Sequence, residues 1–205
     1  MNKRLIIIGA GGHGKVCADI ADKIGRYDEI LFLDDGTASE CLGYKVVGKT
    51  NDCEKYVCSS DFFVAIGNAV VRKSIIEKII ALGGCVTTLI HPSAVIGKQV
   101  EIGVGSLVVA GAVINPSVKI GKGVIVNTCA SVDHDCVVGD YTHIAVGGRV
   151  SGTVHIGKNC FFGAGAVIKN NVDVCDDCII GAGAAVVKNI TEKGTYVGVP
   201  VRKIK

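Results

Sequence analysis

The chain has 205 residues, 22 basic and 19 acidic side chains, and 49% hydrophobic residues with no tryptophan. A net charge of +3, spread along the chain, argues against nucleic-acid binding but leaves acidic small molecules open as ligands. No run of about 18 uninterrupted apolar residues occurs, and the apolar run after Met1–Arg4 is too short for a signal peptide, so a cytoplasmic protein without a membrane span is expected.

The first elements read as a βαβ unit. Leu5–Ile8 is a buried strand, and Gly9-Ala-Gly-Gly-His-Gly14 is a tight glycine loop. Lys15 to about Gly25 is a helix with Val16, Ile20 and Ile24 on one face. Ile30–Leu33 is the next strand and ends in Asp34-Asp35. A short third strand is expected at Tyr44–Val47 and another at Asp61–Gly67. A helix over Ala69–Leu82 and a strand over Cys85–Ile90 follow.

The loop satisfies G-x-G-x-x-G, with Asp34 twenty residues after Gly14. Glycines let backbone N–H groups approach a phosphate at a helix N-terminus, and a carboxylate ending the second strand accepts from a ribose or base. Only about 86 residues precede the next region, too few for both halves of a dinucleotide fold, so a single nucleotide is expected rather than NAD. The loop also reads G-x-x-x-x-G-K, but Val16 stands where a P-loop needs a hydroxyl for Mg²⁺, and ATP hydrolysis is not expected. Gly67-Asn68, at another strand end, lines the same crevice.

From Ile90 to Val186 every sixth residue is apolar and nearly always β-branched, as at Ile96, Ile102, Val108 and Ile114. Two residues before each of these stands a small or β-branched residue, such as Ala112, Ala130, Cys136 or Ala166. One large and one small position per hexapeptide is the pattern of a parallel β-helix, with three hexapeptides per triangular coil. The expected domains are 1–86, a Rossmann-like nucleotide-binding unit; 87–190, the β-helix; and 191–205, a tail ending Arg202-Lys-Ile-Lys205.

Outward positions carry the chemistry, because inward ones are packed. His134 lies in Asp133-His134-Asp135 at a corner, where a carboxylate beside the imidazole suits a general base. His143 immediately precedes inward Ile144 and faces outward. Nine residues separate the two histidines, half a coil, so they belong on opposite sides of the prism; a site that uses both is built between two chains. His155 reads as solvated surface with no acidic neighbour in sequence. Gly163-Ala164-Gly165 stacks under Gly181-Ala182-Gly183, giving a side-chain-free groove for a long thin ligand. Ten cysteines carry no zinc spacing; Cys175-x-x-Cys178 points Cys178 inward and Cys175 outward, so reduced thiols and no metal are expected.

With these motifs assembled, the chain resembles the NeuD/PglD family of hexapeptide sugar acetyltransferases. The likeness is carried by Gly-Ala-Gly-Gly-His-Gly-Lys, Phe-Leu-Asp-Asp, Ala-Ile-Gly-Asn with Arg72-Lys73, Asn127-Thr128, Asp-His-Asp, Thr-His143-Ile-Ala-Val-Gly and Val-Gly-Val-Pro, across nearly the whole chain. It is most similar to the UDP-4-amino-sugar N-acetyltransferases of bacillosamine-type pathways. The resemblance implies a left-handed β-helix, a homotrimer with sites between neighbouring helices, and acetyl-CoA as donor. It implies His134 as general base with Asp135 raising its basicity. It implies His143, Ala164 and Ala182 at the acetyl-CoA site, the last two through backbone. Gly11, Gly12, His13, Asp34, Asp35 and Gly67 would hold the nucleotide sugar. Gly11 stands where some relatives have Ser, and Ala69 where some have a second Asn. O-acetylation of a sialic acid or another sugar uses the same fold and base. A nucleotide-sugar sensor or scaffold and an NAD-dependent oxidoreductase are the readings from other classes.

Overall fold

The computed structural model describes residues 3–205, which divide into two compact units, one ending at Pro92 and the other Ser93–Lys205. The first is a Rossmann-like α/β unit. Strand β1 (Arg4–Ile8) leads into helix α1 (Gly12–Ile24) and strand β2 (Glu29–Leu33). A small antiparallel hairpin, β3 (Glu40–Cys41) and β4 (Tyr44–Lys45), and a 3₁₀ turn at Thr50–Lys55 follow. Strand β5 (Asp61–Val64), helix α2 (Ala69–Ala81) and strand β6 (Cys85–Val86) complete it.

The four sheet strands run parallel in the order β2-β1-β5-β6. Both faces are covered, so β1 reads as a continuous apolar run, and Leu5 to Ile8 are fully buried. After β1 the chain moves outward to β2, then returns past β1 to β5. The reversal places a crevice beyond the C-terminal ends of β1 and β5, the usual ligand position in such sheets. Helix α1 starts at Gly12, three residues earlier than the apolar pattern suggests. The apolar pattern begins at Val16, which is exposed; the buried face is Cys17, Ala18, Ile20 and Ala21, and the glycine backbone turns before any of them. Tyr44–Val47 is likewise not a full sheet strand: only Val46 bridges to Phe32.

The second unit is the parallel β-helix, and its strands pair every eighteen residues. One face stacks Val95, Val113, Ser131, Arg149, Val167 and Ala185. The next stacks Glu101, Lys119, Val137, His155 and Asp173. The third stacks Leu107, Ile125, His143, Phe161 and Ile179. The large inward residues are buried from Val108 to Val186, while Ile96 on the opening coil is 37% exposed because an end coil has a neighbour on one side only.

The small lattice is buried too, and its polar members are paired. Ser106 donates to Gly121 O at 2.9 Å and Thr142 to Gly157 O at 2.8 Å. Glycines after the large residues stand where coils touch: a β-carbon on Gly103 would lie 2.5 Å from the Gly121 backbone. The last residues are part of this unit. Gly194–Val197 adds a parallel strand beside Cys178–Ile180, and Arg202–Lys203 folds back antiparallel on it.

Candidate active site

In the first unit the glycine loop is tied down from several sides. Gly9 has φ +104, and a β-carbon there would stand 2.9 Å from Ala65 O, so the exits of β1 and β5 lie against each other. Asp34 accepts from Ala10 N at 2.8 Å with one oxygen and from Gly36 N at 2.7 Å with the other. Its carboxylate thus links the end of β2 to the loop while each oxygen keeps a further lone pair. Asp35 accepts from Thr50 N at 2.9 Å. Lys49 donates to the carbonyls of Asp35 and Gly36. Asp34, Gly36, Thr37 and Lys49 are among the residues lining a cavity of about 400 Å³.

Gly11 and Gly12 are exposed, and a β-carbon on either would meet nothing within 4 Å. His13 stands in the first turn of α1, and burial, with the nearby Arg72 charge, lowers its pKa. It is therefore a neutral imidazole near pH 7. Arg72 is completely buried, and its Nη1 donates to Ile66 O and Gly67 O, 2.8 Å each. A buried guanidinium thus fixes the turn at Gly67, and Asn68 caps α2 by accepting from Val71 N. Of the six residues read from sequence as the nucleotide-sugar site, Asp34 lines this cavity; Gly11, Gly12 and His13 follow the exit of β1, Asp35 that of β2 and Gly67 that of β5. Lys49 carries no recognisable motif, and its role emerges only with the fold.

In the β-helix, His134 and Asp135 meet directly. Nδ1 of His134 lies 2.8 Å from Asp135 Oδ2. A carboxylate only accepts, so Nδ1 carries the proton and Nε2 presents a lone pair. The hydrogen bond to Asp135, with the Asp133 charge, raises the His134 pKa. The His134 side chain is 56% exposed. Asp133 Oδ1 accepts from Asn115 Nδ2 at 2.6 Å and from His134 N at 2.8 Å. These bonds, the Asn115 one first, hold its carboxyl below the usual range. Gly152 lies one coil on, and a β-carbon there would stand 2.6 Å from Nε2. Sequence reasoning passed over Asn115 and Gly152, yet both are eighteen residues from members of the Asp-His-Asp corner and were reachable by repeat arithmetic.

His143 belongs to the third face. Its Nε2 is 3.1 Å from Asn127 Nδ2, and its ring meets Phe161 edge-on at 5.2 Å. His134 lies on the corner between the first and second faces, the vertex opposite the third face. Ala164 and Ala182 are on the corner between the third and first faces, both exposed, flanked by Gly165 and Gly183 with nothing near their missing β-carbons. Gly183 N donates to Ala164 O at 2.8 Å, whereas neither alanine N–H has a backbone acceptor among the described residues. The groove therefore presents two free donors and no obstructing side chain. His155 is solvated, as read from sequence, and it also has an acidic partner: Asp173, its strand neighbour one coil on, stands 3.1 Å from Nδ1. The acidic partner is remote in sequence and adjacent in register. Among the described residues no group of His, Cys, Asp or Glu is disposed to hold a metal, and no helix is long and apolar enough to cross a membrane.

Residues 4–79 match the PglD N-terminal domain model, and residues 153–188 match the hexapeptide repeat of succinyl-transferase. The acetyltransferase domain of PglB from Neisseria gonorrhoeae, solved with acetyl coenzyme A, superposes with a TM-score of 0.96 at 40% identity over 100% of both chains. The chain belongs to the NeuD/PglD family of sugar acetyltransferases. PerB from Caulobacter crescentus, solved with CoA and GDP-perosamine, gives a TM-score of 0.91 at 34% identity over 98% of this chain and 97% of that one. The UDP-N-acetylbacillosamine N-acetyltransferase of Bacillus subtilis is 32% identical over 112 residues, 53% of this chain. The chain spans about half (52%) of that curated relative's length.

Proposed function

We propose that this protein transfers the acetyl group of acetyl-CoA to the 4-amine of a UDP-linked amino-deoxy sugar. The observation that carries the reading is the His134–Asp135 pair, an exposed imidazole whose tautomer is set by a carboxylate at 2.8 Å. Nε2 removes a proton as the amine attacks the thioester carbonyl, the tetrahedral centre collapses, and the CoA thiolate leaves. General-base help of this kind contributes roughly 10²–10⁴-fold. Holding amine and thioester together supplies much of the remainder.

The exposed Gly-Ala-Gly ribbon fits the extended arm of CoA, with the N–H groups of Ala164 and Ala182 as donors and His143 beside them. The crevice of the first unit, with Gly11, Gly12, His13, Asp34, Asp35 and Gly67, fits the nucleotide part of the acceptor. His134 occupies the vertex opposite the face that carries His143. One copy alone does not join them, which supports a site shared between chains of a cytoplasmic homotrimer. The amine acceptor is favoured over a hydroxyl by the relatives named as N-acetyltransferases.

The test is thiol release from acetyl-CoA with a panel of UDP-, GDP-, dTDP- and CMP-linked amino and hydroxy sugars, product mass being read alongside. Release with a UDP-4-amino sugar and a stable amide product is expected. An alkali-labile ester formed only on a hydroxy sugar would move the protein to O-acetylation. Tight nucleotide-sugar binding without any release would make it a sensor or scaffold.

A further inference from the structure

We propose that Cys175 and Cys178 form a redox-active dithiol that a low-molecular-weight disulfide converts into an intramolecular disulfide. The site is distinct from the acyl-transfer residues and does not depend on them. The six-residue repeat places Cys178 inward and Cys175 outward, and burial follows that expectation: Cys178 is fully buried and Cys175 half-buried. The thiols nevertheless converge. The turn between them passes through Asp177 at φ +59, and the two Sγ atoms stand 3.6 Å apart. A disulfide needs about 2.05 Å, so closure requires roughly 1.5 Å of approach by two short side chains.

The pair has an accessible member and a resolving member. Cys175 lines a cavity of about 460 Å³ with His155, Asp173, Asp176 and Thr191, which is room for an incoming disulfide. Cys178 is held by long sulfur contacts only, 3.8 Å to Asp176 O and 3.7 Å to Glu192 O. The remaining neighbouring thiol does not compete, since Cys160 donates to Cys175 O at 3.2 Å. Burial, with the hydrogen bond to Cys175, pushes the Cys178 thiol up to about 12.

The order of steps follows. The Cys175 thiolate attacks the external disulfide, forming a mixed disulfide and releasing one small thiol. Cys178 then loses its proton and attacks Cys175 Sγ, breaking the mixed disulfide and releasing the second small thiol. Two protein thiols are oxidised and one external disulfide is reduced to two thiols. Deprotonation of Cys178 limits the second step, so bridge formation accelerates as pH rises.

The test uses the full-length chain, glutathione disulfide as oxidant, an acid quench, alkylation after unfolding, and peptide mapping. In the wild type the peptide holding both cysteines should lose two hydrogens, resist alkylation, and recover both thiols with dithiothreitol. Cys178→Ser should leave a stable glutathione adduct on Cys175, because the resolving thiol is gone. Serine at that inward position is accommodated as Ser106 is, four coils earlier on the same lattice, by donating to a neighbouring carbonyl. The exposed Cys58, Cys85 and Cys129 report that the oxidant acted. A persistent adduct on wild-type Cys175 would overturn the proposal. So would recovery of both thiols free while the exposed cysteines carry glutathione.

Discussion

The imidazole of His134 lies over Gly152, where a β-carbon would stand 2.6 Å from both Nε2 and Cε1. Nothing in the corner chemistry of Asp-His-Asp requires a glycine one coil away. The space does: the ring can keep its bond to Asp135 only if the next coil carries no side chain there. Gly152→Ala must push the ring aside or break that bond. A displacement of about 1 Å at a reacting group costs about 10²-fold, so kcat should fall by about that factor. Substrate binding and the melting temperature should change little, because the methyl group projects toward an exposed ring. A variant with wild-type turnover would show that His134 does not act from this rotamer.

If His134 is the base, as proposed, Asp135 sets the pH range in which it works. Its hydrogen bond is the largest cause of the raised His134 pKa, so the ring stays protonated to a higher pH than an ordinary imidazole. A protonated ring cannot accept a proton, and activity therefore rises as pH climbs through that pKa. Asp135→Asn removes the charge, lowers the pKa and shifts the acid limb of the kcat/KM profile toward lower pH. The plateau should fall within the roughly 10²–10⁴-fold range of general-base help, because a weaker base accepts the proton less readily. Asparagine is the right replacement, since Asp135 has φ +57 and Asn tolerates the left-handed region far better than Ala. An unshifted acid limb would separate Asp135 from catalysis.

That φ value belongs to a pattern that side-chain chemistry conceals. Every sixth residue from Gln99 to Gly183 has positive φ, including Ser117, Cys129, Tyr141 and Thr153. The large inward lattice was legible because hydrophobic burial selects one residue class. The left-handed lattice was not, because the coil geometry imposes φ there whatever the side chain, and coil-to-coil hydrogen bonds such as Thr153 N to His134 O hold it. The same division runs through the site. His134, Asp135 and the Gly-Ala-Gly turns stand out as local motifs. Gly152, Asn115 and the Asp173 partner of His155 become neighbours only once coils stack at eighteen residues. Convergence of Cys175 and Cys178 was hidden for a further reason: alternation assigns direction to strand residues, and these two flank a turn.

Asn115 steadies the corner from the preceding coil. It donates to Asp133 at 2.6 Å, the first cause of that carboxyl's lowered pKa. A carboxyl whose folded pKa is depressed contributes stability above its unfolded pKa and loses it as pH falls through the folded value. Asn115→Ala should therefore lower the urea midpoint at neutral pH. The loss should be about 0.5–1 kcal/mol, near the lower end for a hydrogen bond because the carboxylate is partly exposed. The difference between variant and wild type should disappear in acid, once Asp133 is protonated in both states. A deficit that persists unchanged there would assign the effect to packing instead of charge.

The glycine loop divides its residues into two kinds. Gly14 is buried in α1, and a β-carbon there would stand 2.1 Å from Gly9 O and 3.2 Å from the Phe32 ring. Both obstacles are fixed, one by the β1 exit and one by the fully buried Phe32 side chain. Gly14→Ala should cost about 1–3 kcal/mol through overpacking and distort the loop proposed to face the nucleotide. Gly11 is the opposite case: exposed, extended at φ −81 and ψ −165, with open space around its missing side chain. Gly11→Ser should leave the unfolding free energy within about 0.5 kcal/mol of wild type, as surface substitutions do. A serine there also supplies a side-chain oxygen at the N-cap of α1, where the native glycine makes no side-chain capping bond. If the loop holds a phosphate, the added hydroxyl should lower the KM for the nucleotide sugar and leave the KM for acetyl-CoA unchanged. Equal changes in both constants would place the nucleotide elsewhere.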